Sequence, residues 1–387
     1  RKDYIRRGLL QDPNIRVRLS DAITFHGTCE DMCPEFERHE REYQNTLDRL
    51  EKIPGTEQVD HAKAVKCYHR PAAGDPPPMP SDVRPPLVLS KTLHYLFHEV
   101  LMSVEMEKCH AFLRDRTRSI RQDFTFQNER GDVAIDVHER IARYHILATH
   151  LQRETKGFSA QQEVEQLRKV LQSLREFYDD ARRQGLAYPN EAEFRAYYIL
   201  VFLDNPKMLV QTQALSPDVL RSGPVQLALL IHSLASPVQP DNITSSYGRP
   251  AAIFDILRLP SIPVLMACVV EIHFRWLRYQ GLLRLNAGEG DAEPVPVPLA
   301  NVIHMFGLNG PEEAEMLCEE LTLQRRDDPK GQVVLLDKHS LRTLIYPTPP
   351  SILLDDSFQA EGLLSCPNVP PSFHLSPSLL PSPLCSL

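Results

Sequence analysis

HGTCEDMCPEFERHE, residues 26–40, is the stretch on which the reading of this chain turns. Gly27, Thr28 and Cys29 are followed by Asp31, Met32, Cys33 and Pro34, a tight turn that opens onto a run of charged residues. Cys33 falls at the N-cap position and Pro34 at the first helical position, where its missing N–H costs nothing. Glu35 and Glu37 then place negative charge on the positive helix end. The spacing predicts a helix from Pro34 to about Lys52, and the wording of the turn is too unusual for generic helical sequence.

Around this turn the composition is that of a large globular chain. At 387 residues it exceeds the usual single-domain size, and two lobes with tails are expected. A formal charge of -8 disfavours wholesale coating of nucleic acid, so any such contact must be focal. Eight cysteines spread over this length, with no apolar signal-peptide stretch, read as reduced thiols and not as a disulfide framework. No run reaches the roughly 18 to 20 apolar residues of a membrane span, so no membrane association is expected. Because the chain begins at Arg1 and not at a methionine, a fragment of a longer protein is expected.

The hydrophobic pattern is mainly that of helices. Arg1–Phe25 is basic and aperiodic, and Pro71–Pro86 cannot continue a helix; both read as extended straps. From Leu87 the helical period takes over: Leu93, Leu96, Phe97, Val100 and Leu101 share one face. Val137, Ile141, Tyr144, Ala148 and Leu151 repeat the pattern, as do Val164, Leu167, Leu171, Leu174 and Tyr178 before a stop at Gly185. Asn190 with Glu193 predicts a capping box for a helix carrying Phe194, Tyr197 and Tyr198. Further helices are predicted over Pro224–Leu234, Ile253–Leu259 and Val264–Leu283, an arrangement of stacked helical hairpins (TPR-like) forming a solenoid. After a linker at Ala287–Pro298 come a helix over Leu299–Phe306, a turn at Gly307–Gly310, a helix from Pro311 to about Leu321 and a strand at Gly331–Leu336. That order is a small winged-helix module. The expected segments are therefore 1–25, basic; 26–86, motif helices and Pro-rich strap; 87–286, helical solenoid; 297–346, winged helix; and 347–387, a disordered Pro/Ser-rich tail.

The opening turn, Val59–Lys66, Arg70–Gly74, Pro80–Pro85, Asp115–Arg121, Glu139–His145 and Pro189–Tyr197 stand in one order along the chain. In these blocks it resembles the Sac-three/GANP family of messenger-RNA export scaffolds, over about Ile15 to Leu323, and a fungal member more than an animal one. The resemblance implies a PCI-type fold, which agrees with a solenoid ending in a winged helix. It also implies a non-enzymatic scaffold of the nuclear TREX-two complex, with a second PCI-domain protein of the Thp type and a small acidic Sem/DSS-type protein as partners. RNA or DNA would meet a composite winged-helix surface, and nuclear pore components would bind through regions outside this chain. The alternative is a PCI-type subunit of proteasome or centrosome assembly that touches no nucleic acid.

The chemistry-bearing residues support no enzyme. There is no GxSxG, HExxH or Walker-type loop, and His145 and His150 read as packed histidines. Cys29, Cys33, His39, Cys67 and His69 have poor zinc spacing and read as packing residues, so no metal and no cofactor are expected. Arg114, Arg118 and Arg121 share a helical face with Arg116 to one side. An internal salt-bridge network with Asp115, Asp123 or Glu139 is the favoured reading over a phosphate or partner site. In the winged helix the second helix carries Glu312, Glu313, Glu315, Glu319 and Glu320, which would repel a phosphate backbone. The wing residues Arg325, Arg326, Lys330, Lys338 and Arg342, against Asp327, Asp328 and Asp337, leave a small positive surplus for phosphates. The acidic helix with Met305 and Phe306 would suit pairing with a partner's winged helix.

Overall fold

The computed structural model describes residues 1–12, 15, 18, 25–70, 78–205, 207–235, 249–287, 295–321, 323–328 and 331–336. They fall into two compact units, one ending at Ile141 and one beginning at Ala142. No helix among the described residues is long and apolar enough to cross a membrane.

The first unit begins with a short helix, α1 (Lys2–Arg6), in a segment expected to be extended. The helix after the motif turn, α2 (Glu35–Tyr43), stops well before Lys52. Asn45 there takes a left-handed φ of 53°, a conformation that Asn adopts more readily than most residues and that ends the helix. The chain then makes a 3-10 turn at Arg49–Glu51, with Asp48 accepting from the Leu50 N–H, and a second 3-10 turn at Pro80–Asp82. Next come α3 (Pro86–Tyr95), a π-helical turn (Leu96–Val100), α4 (Leu101–Ser103), the long α5 (Met106–Phe126) and the start of α6 (Asp132–Leu151). Leu93, Leu96, Phe97 and Val100 are buried, as their spacing requires, and α3 packs against α5.

In the second unit, α7 (Ala160–Arg183) buries Val164, Leu167, Leu171, Leu174 and Tyr178. It ends two residues before Gly185, whose φ of 80° makes the left-handed stop. Next is α8 (Glu191–Val201), where Asn190 caps with no side-chain hydrogen bond. The expected capping box does not form because Arg143 holds both oxygens of Glu193, at 3.0 and 2.9 Å. There follow α9 (Met208–Thr212), α10 (Pro217–Leu220), α11 (Gly223–Leu234), α12 (Pro250–Leu257), α13 (Val264–Glu271) and α14 (Phe274–Ala287). The single helix expected over Val264–Leu283 is thus two. Each helix packs on a small set of others: α8 on α7, α11 and α13, and α12 on α11 and α14. The fold is mainly helical, as expected, and compatible with a stacked-helix solenoid.

The last described elements of the unit are β1 (Val295–Pro298), α15 (Leu299–Met305), α16 (Pro311–Glu320), β2 (Gln324–Asp328) and β3 (Gly331–Leu336). These strands form an antiparallel sheet in the order β1-β3-β2, with Val295 opposite Leu336 and Arg326 opposite Val333. β1 occupies what the sequence presents as linker. Pro296 and Pro298 cannot donate to a ladder, but alternation places both missing N–H groups along one side, which an outer strand tolerates.

Two packing constraints yield predictions. Gly281 in α14 faces the buried ring of Phe306; a Cβ there would lie 2.3 Å from that ring. Gly281→Ala gains about 1 kcal/mol of helix propensity yet overpacks this contact at a cost of about 1–3 kcal/mol. A net fall in the urea midpoint is expected. In the first unit, the His138 ring is buried against Phe124, and burial with the Arg121 charge pulls its pKa down to about 3. Between pH 6.5 and that value the unfolded chain binds a proton that the folded chain refuses. Stability should therefore fall as pH falls, by about 2 kcal/mol between pH 6.5 and 5 from this residue. Denaturation of His138→Phe at both pH values should show a shallower dependence.

Candidate functional site

The motif turn is built into the first unit through its backbone. Thr28 N–H donates to the Pro80 carbonyl at 2.7 Å and Cys29 N–H to the Val83 carbonyl at 3.0 Å, so the turn lies along the 80–83 segment. Gly27 is the point of closest approach: a Cβ there would sit 2.3 Å from the Val83 oxygen, so no side chain fits. Its N–H donates to Gln127 Oε1 at 3.0 Å. The Met32 carbonyl accepts from Lys66 N–H at 3.0 Å and from Arg84 Nη1 at 3.1 Å. Asp31 pairs with Arg38 at 2.9 Å. Pro34 precedes α2, one position before that helix begins.

Beneath the turn lie two fully buried carboxylates. Glu51 accepts from Arg41 at 2.7 Å and Arg116 at 2.9 Å with one oxygen, and from the Val65 N–H at 2.8 Å with the other. Asp123 accepts from Lys66 at 2.7 Å and from Arg84 Nε at 2.8 Å, while Arg84 Nη2 reaches Ser119 Oγ at 3.0 Å. Arg41 also donates to Cys33 Sγ at 3.2 Å and to the Val65 carbonyl at 3.1 Å. Burial opposes charge on Arg41, but Glu51 outweighs it and holds the guanidinium above its ordinary pKa. Burial pushes the Cys33 and Cys67 thiols up to about 12, which leaves them protonated and poor nucleophiles. Burial also raises Cys29, whose thiol donates to the Asp31 carbonyl at 3.3 Å. Among the described residues no three His, Cys, Asp or Glu side chains gather as a metal site.

The basic face on α5 divides. Arg118 stacks on Tyr68 with its guanidinium 4.0 Å from the ring centre, and Arg114 is half-buried. Burial and the Arg118 charge pull Arg121 down to about 10. Of the carboxylates considered for this face, Asp115 accepts from the Tyr68 N–H and bonds Arg116, and Asp123 holds Lys66 and Arg84. Arg116, off the expected face, is the one that enters the core. The sequence marks Lys66, Arg84 and Arg116 only as members of the ordered blocks; nothing in their spacing pairs them with Glu51 or Asp123.

In the terminal module the acidic helix is largely neutralised from within. Glu313 is buried and accepts from Arg278 at 3.0 Å; Arg278 also donates to the Phe306 and Gly307 carbonyls, each at 3.0 Å. The Arg278 guanidinium lies 5.7 and 5.4 Å from the Phe254 and Phe274 rings. Glu320 pairs with Arg275, and both Glu315 and Glu319 hold Arg325 at 3.0 Å. Arg325 is thus tied to α16 and not projected as a free phosphate contact, whereas Arg326 on the same strand is exposed. Phe306 is completely buried between Phe254 and Gly281, so it cannot serve the partner face expected of it, and Met305 is half-buried. Lys330, Lys338 and Arg342, and the expected tail from Pro347, lie outside the described residues.

A family model described as SAC3/GANP family matches residues 32–327. The chain is 49% identical to SAC3 family protein 1 of Schizosaccharomyces pombe over 347 residues, 87% of this chain and 34% of that protein. It is 31% identical to Protein xmas of Drosophila melanogaster over 348 residues, 87% of this chain and 16% of that protein. It is 32% identical to SAC3 family protein B of Arabidopsis thaliana over 311 residues, 76% of this chain and 17% of that protein. The chain therefore spans about a third or less of these relatives, and the fungal one is the nearest of the three.

Replacing Glu51 tests the buried clasp. Glu51→Ala removes the counter-charge that Arg41 and Arg116 share, leaving Arg41 only Glu37 at 3.4 Å and Arg116 only the half-buried Asp115, and a loss of about 3–5 kcal/mol in urea unfolding is expected. Adding Arg116→Met removes one stranded charge, so the double variant should lose less than the sum of the two single losses.

Proposed function

The chain belongs to the SAC3/GANP family, and from that premise we propose that it is a non-enzymatic scaffold subunit of a nuclear, transcription-coupled mRNA export complex of the TREX-two type. Its helical array orders a second PCI-domain protein of the Thp type and a small acidic Sem/DSS-type protein. Its terminal module is a winged helix that contributes to a composite surface for RNA or DNA. Attachment to the nuclear pore falls to regions outside residues 1–387.

The observation that carries this reading is the topology of the module. Strand, helix, helix and hairpin, with β1 pairing across β3, supports the winged-helix reading, and the buried Arg278 ties these elements to α14. A scaffold needs this rigidity, since a composite surface forms only if each half is held in a fixed orientation. The thiols of buried Cys33 and half-buried Cys67 are held protonated by desolvation, which suits packing and not catalysis.

Charge pairing narrows the nucleic-acid face. Among the described wing residues Arg326 is the cation available to phosphate, whereas recruiting Arg325 would break its pairs with Glu315 and Glu319. The same pairing favours a second reading, in which the module meets only protein and the chain serves proteasome or centrosome assembly.

Affinity capture of the chain from nuclear extract, with and without nuclease, followed by mass spectrometry, separates the two. A PCI-domain partner and a small acidic subunit retained after nuclease treatment are expected. Proteasome or centrosome components alone would overturn the export reading. In the reconstituted complex, Arg326→Glu should weaken RNA binding several-fold and flatten its salt dependence, while Arg325→Glu should lower module stability as well.

A further inference from the structure

In the second unit, α7, α8 and α9 enclose an open cleft of about 260 Å³. Its apolar lining is Ile199 and Met208, both buried, with Leu215 beside them. At the rim, Arg175 donates to the Tyr198 hydroxyl at 2.9 Å, and its guanidinium lies 5.1 Å from the centre of that ring. No carboxylate pairs with Arg175 among the described residues. The other rim arginine, Arg195, is fully compensated, by Asp179 at 2.6 Å and Glu191 at 3.0 Å. Exposed Leu209 and Val210 extend the apolar surface along α9.

Size and charge together select an occupant. The volume falls below the roughly 300–1,000 Å³ of small-molecule and cofactor sites and fits one anchoring side chain, the form that hot-spot pockets take at protein interfaces. The aliphatic lining suits Leu, Ile, Met or Phe. Tyr198 is engaged by Arg175 and by Phe202, whose ring centre is 5.0 Å away, so it offers no platform on which a nucleic-acid base would stack. One unpaired guanidinium beside an apolar cavity complements a carboxylate next to an apolar residue. We propose that this cleft docks an acidic linear segment of a partner protein, whose apolar side chain seats against Ile199, Met208 and Leu215 while a flanking carboxylate pairs with Arg175.

The inference rests on the cleft and not on the wing, so it stands or falls separately from the nucleic-acid reading. Fluorescence anisotropy of the full chain is measured with labelled short peptides carrying a central Leu, Ile, Met or Phe between Asp and Glu. Matched peptides with Lys in place of the acids, and a labelled oligo(U) RNA, are run alongside. At least one acidic peptide should bind, with its affinity reduced at least about tenfold by Arg175→Glu and by Ala214→Trp, which plugs the mouth. Unchanged thermal melting of both variants keeps the loss specific to the cleft. No binding by any acidic peptide, equal binding by the lysine peptides, insensitivity to both substitutions, or binding of RNA that these substitutions abolish would each overturn the proposal.

Discussion

A single carboxylate with no access to solvent, Glu51, sets the terms for the first unit. An ion buried in a low-dielectric interior is tolerated only when its counter-charges and hydrogen bonds are all in place. Arg41 from α2, Arg116 from α5 and the Val65 amide meet that demand at once, so segments far apart in sequence have only one arrangement in which Glu51 is satisfied. Asp123 repeats the device with Lys66 and Arg84, and the Met32 carbonyl receives donors from both of those residues. The motif turn is thus held by the polar interior more than by its own side chains. Gly27 is required because the chain passes too close to Val83 for anything larger.

Much of the helical plan was legible because the period of apolar residues is a local signal. Leu93 to Val100 and Val164 to Tyr178 are buried as their spacing demands, and Gly185 stops its helix in the expected conformation. Failures came where a tertiary partner overrode a local preference. Glu193, well placed to close a capping box, goes to Arg143 instead, because a bidentate guanidinium offers more than one backbone N–H. Val295–Pro298 looks like linker because its prolines mask a strand whose pairing is decided by β3, some forty residues on. The buried clasps escaped for the same reason: charge alone does not tell a surface arginine from one in the core, and Arg116 and Arg118 differ by only two positions.

The terminal module shows what pairing does to an electrostatic argument drawn from composition. Counted along the sequence, α16 is a strongly acidic helix and the wing a basic one. In three dimensions Arg278, Arg275 and Arg325 each neutralise glutamates of that helix, so the two opposed surfaces largely cancel within the fold. Among the described residues of these two surfaces, Arg326 on the wing and Glu312 on the helix are exposed and outside those pairs. Burial of Phe306 against Gly281 follows the same logic, since an aromatic that fastens the module to α14 is unavailable to a second chain.

The prolines of β1 have a further effect on self-association. A three-stranded open sheet has two free edges, and an unpaired edge is a template onto which another chain can add a strand and begin to aggregate. Order β1-β3-β2 puts Pro296 and Pro298 on one of those edges, where their lack of N–H donors breaks the ladder a newcomer would need. The opposite edge is Gln324–Asp328, four of whose five residues are charged, so an added strand would have to desolvate a row of charged side chains. Both margins are blunted by different chemistry, and the small sheet can sit in a crowded assembly without recruiting strands from its neighbours.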